Sequence, residues 1–79
     1  MREKITEALG WYGVVAVVGA YAALSLGYLN SGSLLFQMLN LTGAAGIAID
    51  AYEDKNTQPM VLNIIWAVIA IVALVKILL

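Results

Sequence analysis

Cysteine and histidine are both absent from this chain of 79 residues, and charged side chains make up only 11% of it. Without cysteine there are no disulfides, thiolate metal ligands or cysteine nucleophiles. Without histidine, a metal site would need a cluster of carboxylates, and a serine nucleophile would lack its usual base. The sequence also has no acidic pair placed for acid–base catalysis and no glycine-rich phosphate loop. We therefore expect neither an enzyme nor a bound metal or cofactor.

Basic residues are scarce as well, with four Lys plus Arg and a formal net charge of −1. No basic stripe is available for nucleic acid, so we expect no nucleic-acid partner. What the chain does contain is apolar: 63% of its residues are hydrophobic and its mean hydropathy is +0.95. A small soluble domain buries only about 60% of the surface that its unfolded chain exposes. The composition therefore predicts an integral membrane protein whose main partner is the lipid bilayer.

Three long apolar runs, separated by two polar turns, predict three transmembrane helices at about residues 6–29, 33–52 and 58–79. Each run has the roughly 20 residues that a helix needs to cross the hydrocarbon core. Ser33 is placed to cap the second helix, and Pro59 falls in the first turn of the third, where proline is tolerated. A membrane barrel would need alternating hydrophobicity, which is not seen. We predict an all-α, single-domain, three-helix membrane bundle spanning residues 1–79.

Positive charge is unevenly placed between the two sides of such a bundle. Arg2, Lys4 and Lys55 fall on the side of the N-terminus, and Lys76 falls on the other. Because cytoplasmic loops carry an excess of Lys and Arg, we expect a multi-pass protein with its N-terminus in the cytoplasm.

Small side chains recur along the first helix at spacings of three and four residues. The set comprises Ala16, Gly19, Ala23 and Gly27. Such stripes let membrane helices approach closely, where no hydrophobic effect drives them together. Helix packing is the favoured interpretation, and lining a substrate path is the alternative. Because the stripe is longer than one neighbour within the bundle requires, we also predict a homo-oligomer, most simply a homodimer.

Polar side chains inside the apolar runs form the candidate binding site. Buried amides need hydrogen-bond partners, so they either join helices together or line a polar cavity. Interhelical hydrogen bonding is the commoner role of such amides, and a cavity that takes a small polar solute is the alternative. The candidate substrate-binding residues are Asn63 and Trp66 on the third helix, Asn40 and Gln37 on the second, and Tyr21 and Ser25 on the first.

Asp50 is the carboxylate closest to the apolar part of the second run. Its sequence neighbourhood indicates a solvated helix end rather than a proton-coupling site. An acidic residue near a helix C-terminus is unfavourable for the helix dipole. We therefore expect a local partner for Asp50, such as Lys55 or the next helix.

The order of these features resembles known families. The first run ends in Tyr-Ala-Ala-Leu-Ser-Leu-Gly at residues 21–27, the second holds Gln37 and Asn40, and the third opens with Pro59 and Asn63 after an acidic loop. Over nearly its whole length the chain resembles a group of small uncharacterised bacterial membrane proteins of three helices. More distantly it is similar to the SemiSWEET (MtN3/saliva, PQ-loop) half-transporters, in which two parallel copies enclose a sugar path.

The SemiSWEET resemblance implies a small-solute transporter that works as a parallel homodimer by alternating access, with Asn63 as the asparagine of its pocket. The bacterial resemblance implies the inner membrane. The first run lacks the Pro-Gln pair that names the PQ-loop group, so Gly19 or Gly27 would have to supply flexibility there. Two other functions fit the same sequence: a non-transporting accessory or scaffold protein, and a holin-like or channel-like pore former.

Overall fold

A computed structural model describes residues 2–79, with side chains from Lys4 onward, and forms three α-helices. In chain order they are α1 (Arg2–Ser25), α2 (Leu34–Glu53) and α3 (Thr57–Leu78). The predicted all-helical fold with three helices is therefore confirmed. Each helix is long and apolar enough to cross a membrane.

The end of α1 lies about four residues earlier than the apolar run suggests. Gly27 has a φ of 87°, in the left-handed region that glycine adopts most readily. The N–H of Tyr28 then donates to the carbonyl of Ala23 at 2.8 Å, and the N–H of Gly27 donates to that of Leu24 at 3.2 Å. These two bonds form a Schellman motif, which satisfies the last carbonyls of the helix and ends it at Ser25.

Local side-chain chemistry sets the start of α2. Ser33 has extended backbone angles, and its hydroxyl accepts a hydrogen bond from the N–H of Phe36 at 3.3 Å. This is the N-cap that the sequence predicts. At the other end, Lys55 takes a φ of 56° in a second Schellman motif, in which the N–H of Asn56 donates to the carbonyl of Ala51 at 2.8 Å. A three-residue turn therefore connects α2 to α3.

The middle helix of the chain is also the middle helix of the fold. Among residues 2–79, α2 packs against both neighbours, whereas no Cα of α1 comes within 8 Å of a Cα of α3. The helices thus form an open layer and do not enclose a common core. The buried apolar side chains are accordingly few, and most are small: Ala16, Ala20, Phe36, Ala44, Ala51, Ala70 and Leu74. Most large apolar side chains lie exposed on the outside of the layer.

Glycines bring α1 and α2 close together. A Cβ on Gly13 would collide with the carbonyl of Gly43 and lie 2.6 Å from Cγ1 of Ile47. A Cβ on Gly46 would lie 2.5 Å from the carbonyl oxygen of Leu9. Backbone therefore meets backbone along this contact, which is the packing that small residues permit between membrane helices.

The predicted stripe of small residues on α1 overlaps this contact only in part. Ala16 is buried beside Gly43, and Ala23 is half-buried. Gly19 is exposed with nothing within 4 Å of where a Cβ would stand, and Gly27 lies in the turn beyond the helix. The stripe therefore runs from the α1–α2 contact onto an uncovered face of α1.

Candidate functional site

A groove of about 560 Å³ opens where α1 and α3 diverge on one side of α2. Its floor comes from the first two turns of α2, and its walls come from the second half of α1 and the middle of α3. The polar or partly polar residues that line it are Tyr21, Gln37, Asn40 and Trp66. The remaining lining residues are Val17, Leu24, Phe36, Ile69 and Ala70. The groove is thus largely apolar, with two amides at its floor.

Four of the six predicted substrate-binding residues line this groove, and two do not. Ser25 is exposed at the end of α1. Asn63 is half-buried on α3, where its Nδ2 donates to the carbonyl oxygen of Pro59 at 2.8 Å. That carbonyl belongs to the preceding turn of the same helix, so the amide is bonded within α3 and lies outside the groove. The structure therefore assigns the groove asparagine to Asn40, not to Asn63.

The side chain of Asn40 is buried without being bonded. Only 9% of the residue is exposed, and its amide makes no hydrogen bond with any residue in the described part of the chain. An asparagine amide offers two donors and one acceptor. Among the side chains of residues 4–79, no fully enclosed polar atom lacks a partner. The unbonded atoms of Asn40 are therefore reachable from the groove that it lines.

Gln37 sits beside Asn40 and is anchored at one end. Its Nε2 donates to the carbonyl oxygen of Ser31 at 2.8 Å, which ties the start of α2 to the preceding turn. The residue is 7% exposed. Its Oε1 makes no hydrogen bond with the described residues and stays available as an acceptor. Gln37 and Asn40 together present both donors and acceptors to a molecule in the groove.

None of the three amides joins one helix to another. An interhelical hydrogen bond lies elsewhere, between the Tyr12 hydroxyl and Oγ1 of Thr42 at 2.7 Å. No charged side chain lines the groove, and the described residues hold no group of three carboxylates that would bind a metal. The groove is therefore suited to an uncharged molecule that offers both hydrogen-bonding groups and apolar surface.

Asp50 lies away from the groove, near the C-terminal end of α2, where that helix packs on α1. Its side chain rests against Gly10 of α1, where an added Cβ would lie 2.8 Å from the carboxyl carbon. It forms no ion pair with Lys55 or with any other described residue, so the expected lysine partner is not observed. The residue is half-buried rather than fully solvated.

Comparison with known proteins identifies the family. A protein-family model matches residues 6–79, which is nearly the whole chain. The chain belongs to this uncharacterised family of small bacterial proteins. No curated protein and no solved structure matches it. A likeness to the SemiSWEET half-transporters is not among these findings.

The predicted site residues do not include the apolar residues that line the groove, which are Val17, Leu24, Phe36, Ile69 and Ala70. Val17, Tyr21 and Leu24 follow one another at spacings of four and three residues, so they share one face of α1. Phe36 and Asn40 are related in the same way on α2. Given Tyr21 and Asn40 as site residues, helical spacing alone predicts which neighbouring residues share their faces. What it does not reveal is that α1 and α3 stand apart and leave space between these faces.

Proposed function

We propose that this chain is an integral membrane protein of the bacterial inner membrane that binds a small, uncharged polar solute in the groove and carries it across. Three apolar helices whose large side chains lie mostly exposed support the membrane location, because lipid can cover such a surface. The absence of charge from the groove lining favours an uncharged solute, since a charged one would lose its hydration without gaining a counterion.

The main support for this proposal is that the Asn40 amide lines the groove without a hydrogen-bond partner among the described residues. If the amides served to join helices, we would expect each to bond to a neighbouring helix. Gln37 instead bonds to a turn, Asn63 bonds within its own helix, and Asn40 has no partner in the part of the chain that the structure describes. Because the unbonded atoms of Asn40 are reachable from the groove, a bound solute can hydrogen-bond to them directly.

The proposed carrier works as a parallel homodimer. The groove is open along one side of a single chain, so a second copy related by a two-fold axis would close it and place two Asn40 side chains around one site. Gly19 has open space around it on α1, which leaves room for such an approach. Because no Cα of α1 lies within 8 Å of a Cα of α3, the two helices can separate or converge without disturbing a close backbone contact between them. Motion of this kind is what alternating access around a fixed site requires.

An uptake assay with matched asparagine variants tests the proposal. We expect wild-type protein in liposomes to take up at least one member of a panel of neutral sugars, polyols and amides, and Asn40→Leu to abolish that uptake. The fold should persist in Asn40→Leu, because no internal hydrogen bond is lost. Asn63→Leu is the control: it introduces the same side chain outside the groove, so uptake should continue.

Two outcomes would contradict the carrier proposal. One is a wild-type protein that moves no member of the panel, and the other is an equal loss of uptake in both asparagine variants. Either result would favour the second candidate, an accessory protein that binds other membrane proteins. The exposed apolar face of α3 supports that candidate, because only Ala70 and Leu74 of this helix are buried within the chain.

A further inference from the structure

A second pocket, of about 250 Å³, lies between α1 and the last turns of α2. It is lined by Gly10, Trp11, Val14, Ile47 and Asp50. We propose that this pocket binds a primary or quaternary ammonium group. The inference is independent of the solute groove, with which the pocket shares no lining residue.

Gly10 makes room for the carboxylate in this pocket. A Cβ at position 10 would lie 2.9 Å from Cβ and 2.8 Å from Cγ of Asp50, and it would collide with the carboxylate oxygen Oδ2. The acidic side chain therefore lies directly on the backbone of α1 and is half-buried there. It makes no hydrogen bond and no ion pair with the described residues. A half-buried carboxylate without a partner attracts a cation: a primary ammonium supplies both charge and N–H donors, and a quaternary ammonium supplies charge alone.

The surroundings of Asp50 favour a cation further. The residue lies three positions before the end of α2, where the helix dipole places partial negative charge. Lys55, the nearest basic residue along the chain, lines a different pocket between α2 and α3. No lysine in the described part of the chain forms an ion pair with Asp50.

Trp11 and the apolar walls indicate an organic cation rather than a metal ion. An indole ring attracts ammonium groups through its negatively polarised face, and it does so more strongly than the other aromatic side chains. Val14 and Ile47 provide apolar surface for the methyl or methylene groups of an amine. A metal ion would require several ligands, and the described residues contain no group of three acidic side chains that could hold one.

An ammonium group can reach this pocket from two sources, a phospholipid headgroup and a free amine. On the membrane proposal, Asp50 lies roughly 4.5 Å inside the end of α2, given the helical rise of 1.5 Å per residue. A 20-residue helix is about as long as the hydrocarbon core is thick, so a residue near its end would lie close to the phospholipid headgroups. A free amine that enters from the aqueous side would reach the same carboxylate.

The first arm of the test measures free amines. Full-length protein with Trp66→Phe, so that Trp11 is the only tryptophan, is held in a neutral maltoside detergent and titrated with ethanolamine or tetramethylammonium. We expect a saturable change in Trp11 fluorescence if a free amine binds. Asp50→Asn should weaken that binding about tenfold, because a charge-assisted contact becomes a neutral one. Asp54→Asn, which changes an exposed carboxylate in the next turn, is the matched control and should bind like the parent.

The second arm measures lipids. Delipidated protein is offered equal amounts of phosphatidylethanolamine and phosphatidylglycerol, and the retained lipids are counted by native mass spectrometry. We expect an excess of phosphatidylethanolamine that disappears in Asp50→Asn and persists in Asp54→Asn. A response in the first arm identifies a free amine as a ligand, and a preference in the second arm alone identifies the headgroup. No saturable response and no lipid preference, or equal behaviour of the Asp50 and Asp54 variants, would overturn the proposal.

Discussion

The two sides of α2 differ in the kind of residue that packs against them. On the α1 side, Gly13 and Gly43 face each other, and an added Cβ on Gly43 would lie 3.1 Å from the carbonyl oxygen of Gly13. On the α3 side the buried residues of the neighbour are Ala70 and Leu74, and α3 contains no glycine. Backbone therefore meets backbone on the α1 side, whereas α3 packs on α2 through side chains.

This difference suits the proposed function. A close contact between α1 and α2 gains dispersion energy from many atoms at once and tolerates little change of shape. The α3 helix buries only Ala70 and Leu74 and exposes most of its large apolar side chains. We therefore interpret α1 and α2 as a rigid pair and α3 as the element whose movement would open or close the groove.

The largest expected effect comes from filling the close contact. Gly13→Leu would place a side chain against the backbone of Gly43 and against Ile47, neither of which can withdraw without moving α2. We expect a loss of about 3 kcal/mol in the free energy of unfolding, at the upper end of the cost of overpacking. Gly19→Leu is the control on the same helix: its side chain enters open space, so a single chain should lose no stability and should gain up to about 0.8 kcal/mol from the higher helix propensity of leucine.

Unfolding of both variants in the same detergent, followed by the loss of helical circular dichroism, provides the measurement. Equal losses in the two variants would mean that Gly13 does not lie at a close contact. They would also remove the basis for treating α1 and α2 as a rigid pair.

The sequence predicts the helices and their caps better than it predicts their arrangement. Ser33 is recognised as a cap because the interaction is local and spans three residues. Gly10 and Gly13 are missed as packing residues, because their role depends on which glycines of α2 face them. The separation of α1 from α3 is likewise a property of three helices together, and no single pattern of residues encodes it.

The same distinction holds within the candidate site. Tyr21, Gln37, Asn40 and Trp66 are predicted from their polarity within apolar runs, and all four line the groove. Asn63 has the same polarity, but its amide reaches a carbonyl one turn back on its own helix. Sequence shows that an amide needs a partner, and only the side-chain conformation shows whether that partner is internal.

The two turns that connect the helices also differ, in the type of residue that adopts the left-handed conformation. The turn after α1 places Gly27 in the left-handed region, whereas the turn between α2 and α3 places Lys55 there. A residue with a side chain pays roughly 1 kcal/mol or more for this conformation. Lys55→Gly should therefore raise the free energy of unfolding by about 1 kcal/mol, and Gly27→Ala should lower it by a similar amount.

Asp54→Gly is the control for this pair of substitutions. Asp54 has a φ of −83°, so glycine relieves no strain there and should only lower stability through its greater freedom in the unfolded chain. Thermal unfolding of all three variants in one detergent makes the comparison. A Lys55→Gly variant that is no more stable than wild type would show that the turn holds its lysine without strain.

The smallest expected effect concerns the polar link between α1 and α2. The hydroxyl of Thr42 donates to the carbonyl of Met38 at 2.8 Å, so the Tyr12 hydroxyl must be the donor in its 2.7 Å bond to Thr42. Tyr12→Phe removes this bond alone and should cost about 0.6 kcal/mol, the average for hydrogen bonds between membrane helices. Tyr28→Phe is the control, because Tyr28 is exposed and its hydroxyl makes no hydrogen bond with residues 2–79.

A double-mutant cycle with Thr42→Val decides whether this bond belongs to the rigid pair. If Tyr12 and Thr42 act together, the double variant should lose less stability than the sum of the two single losses, because both remove the same interaction. The α1–α2 contact would then combine close glycine packing with a specific hydrogen bond. Strictly additive losses would mean that the hydroxyls stabilise the helices separately, and the close approach of α1 to α2 would then rest on the glycines without help from this bond.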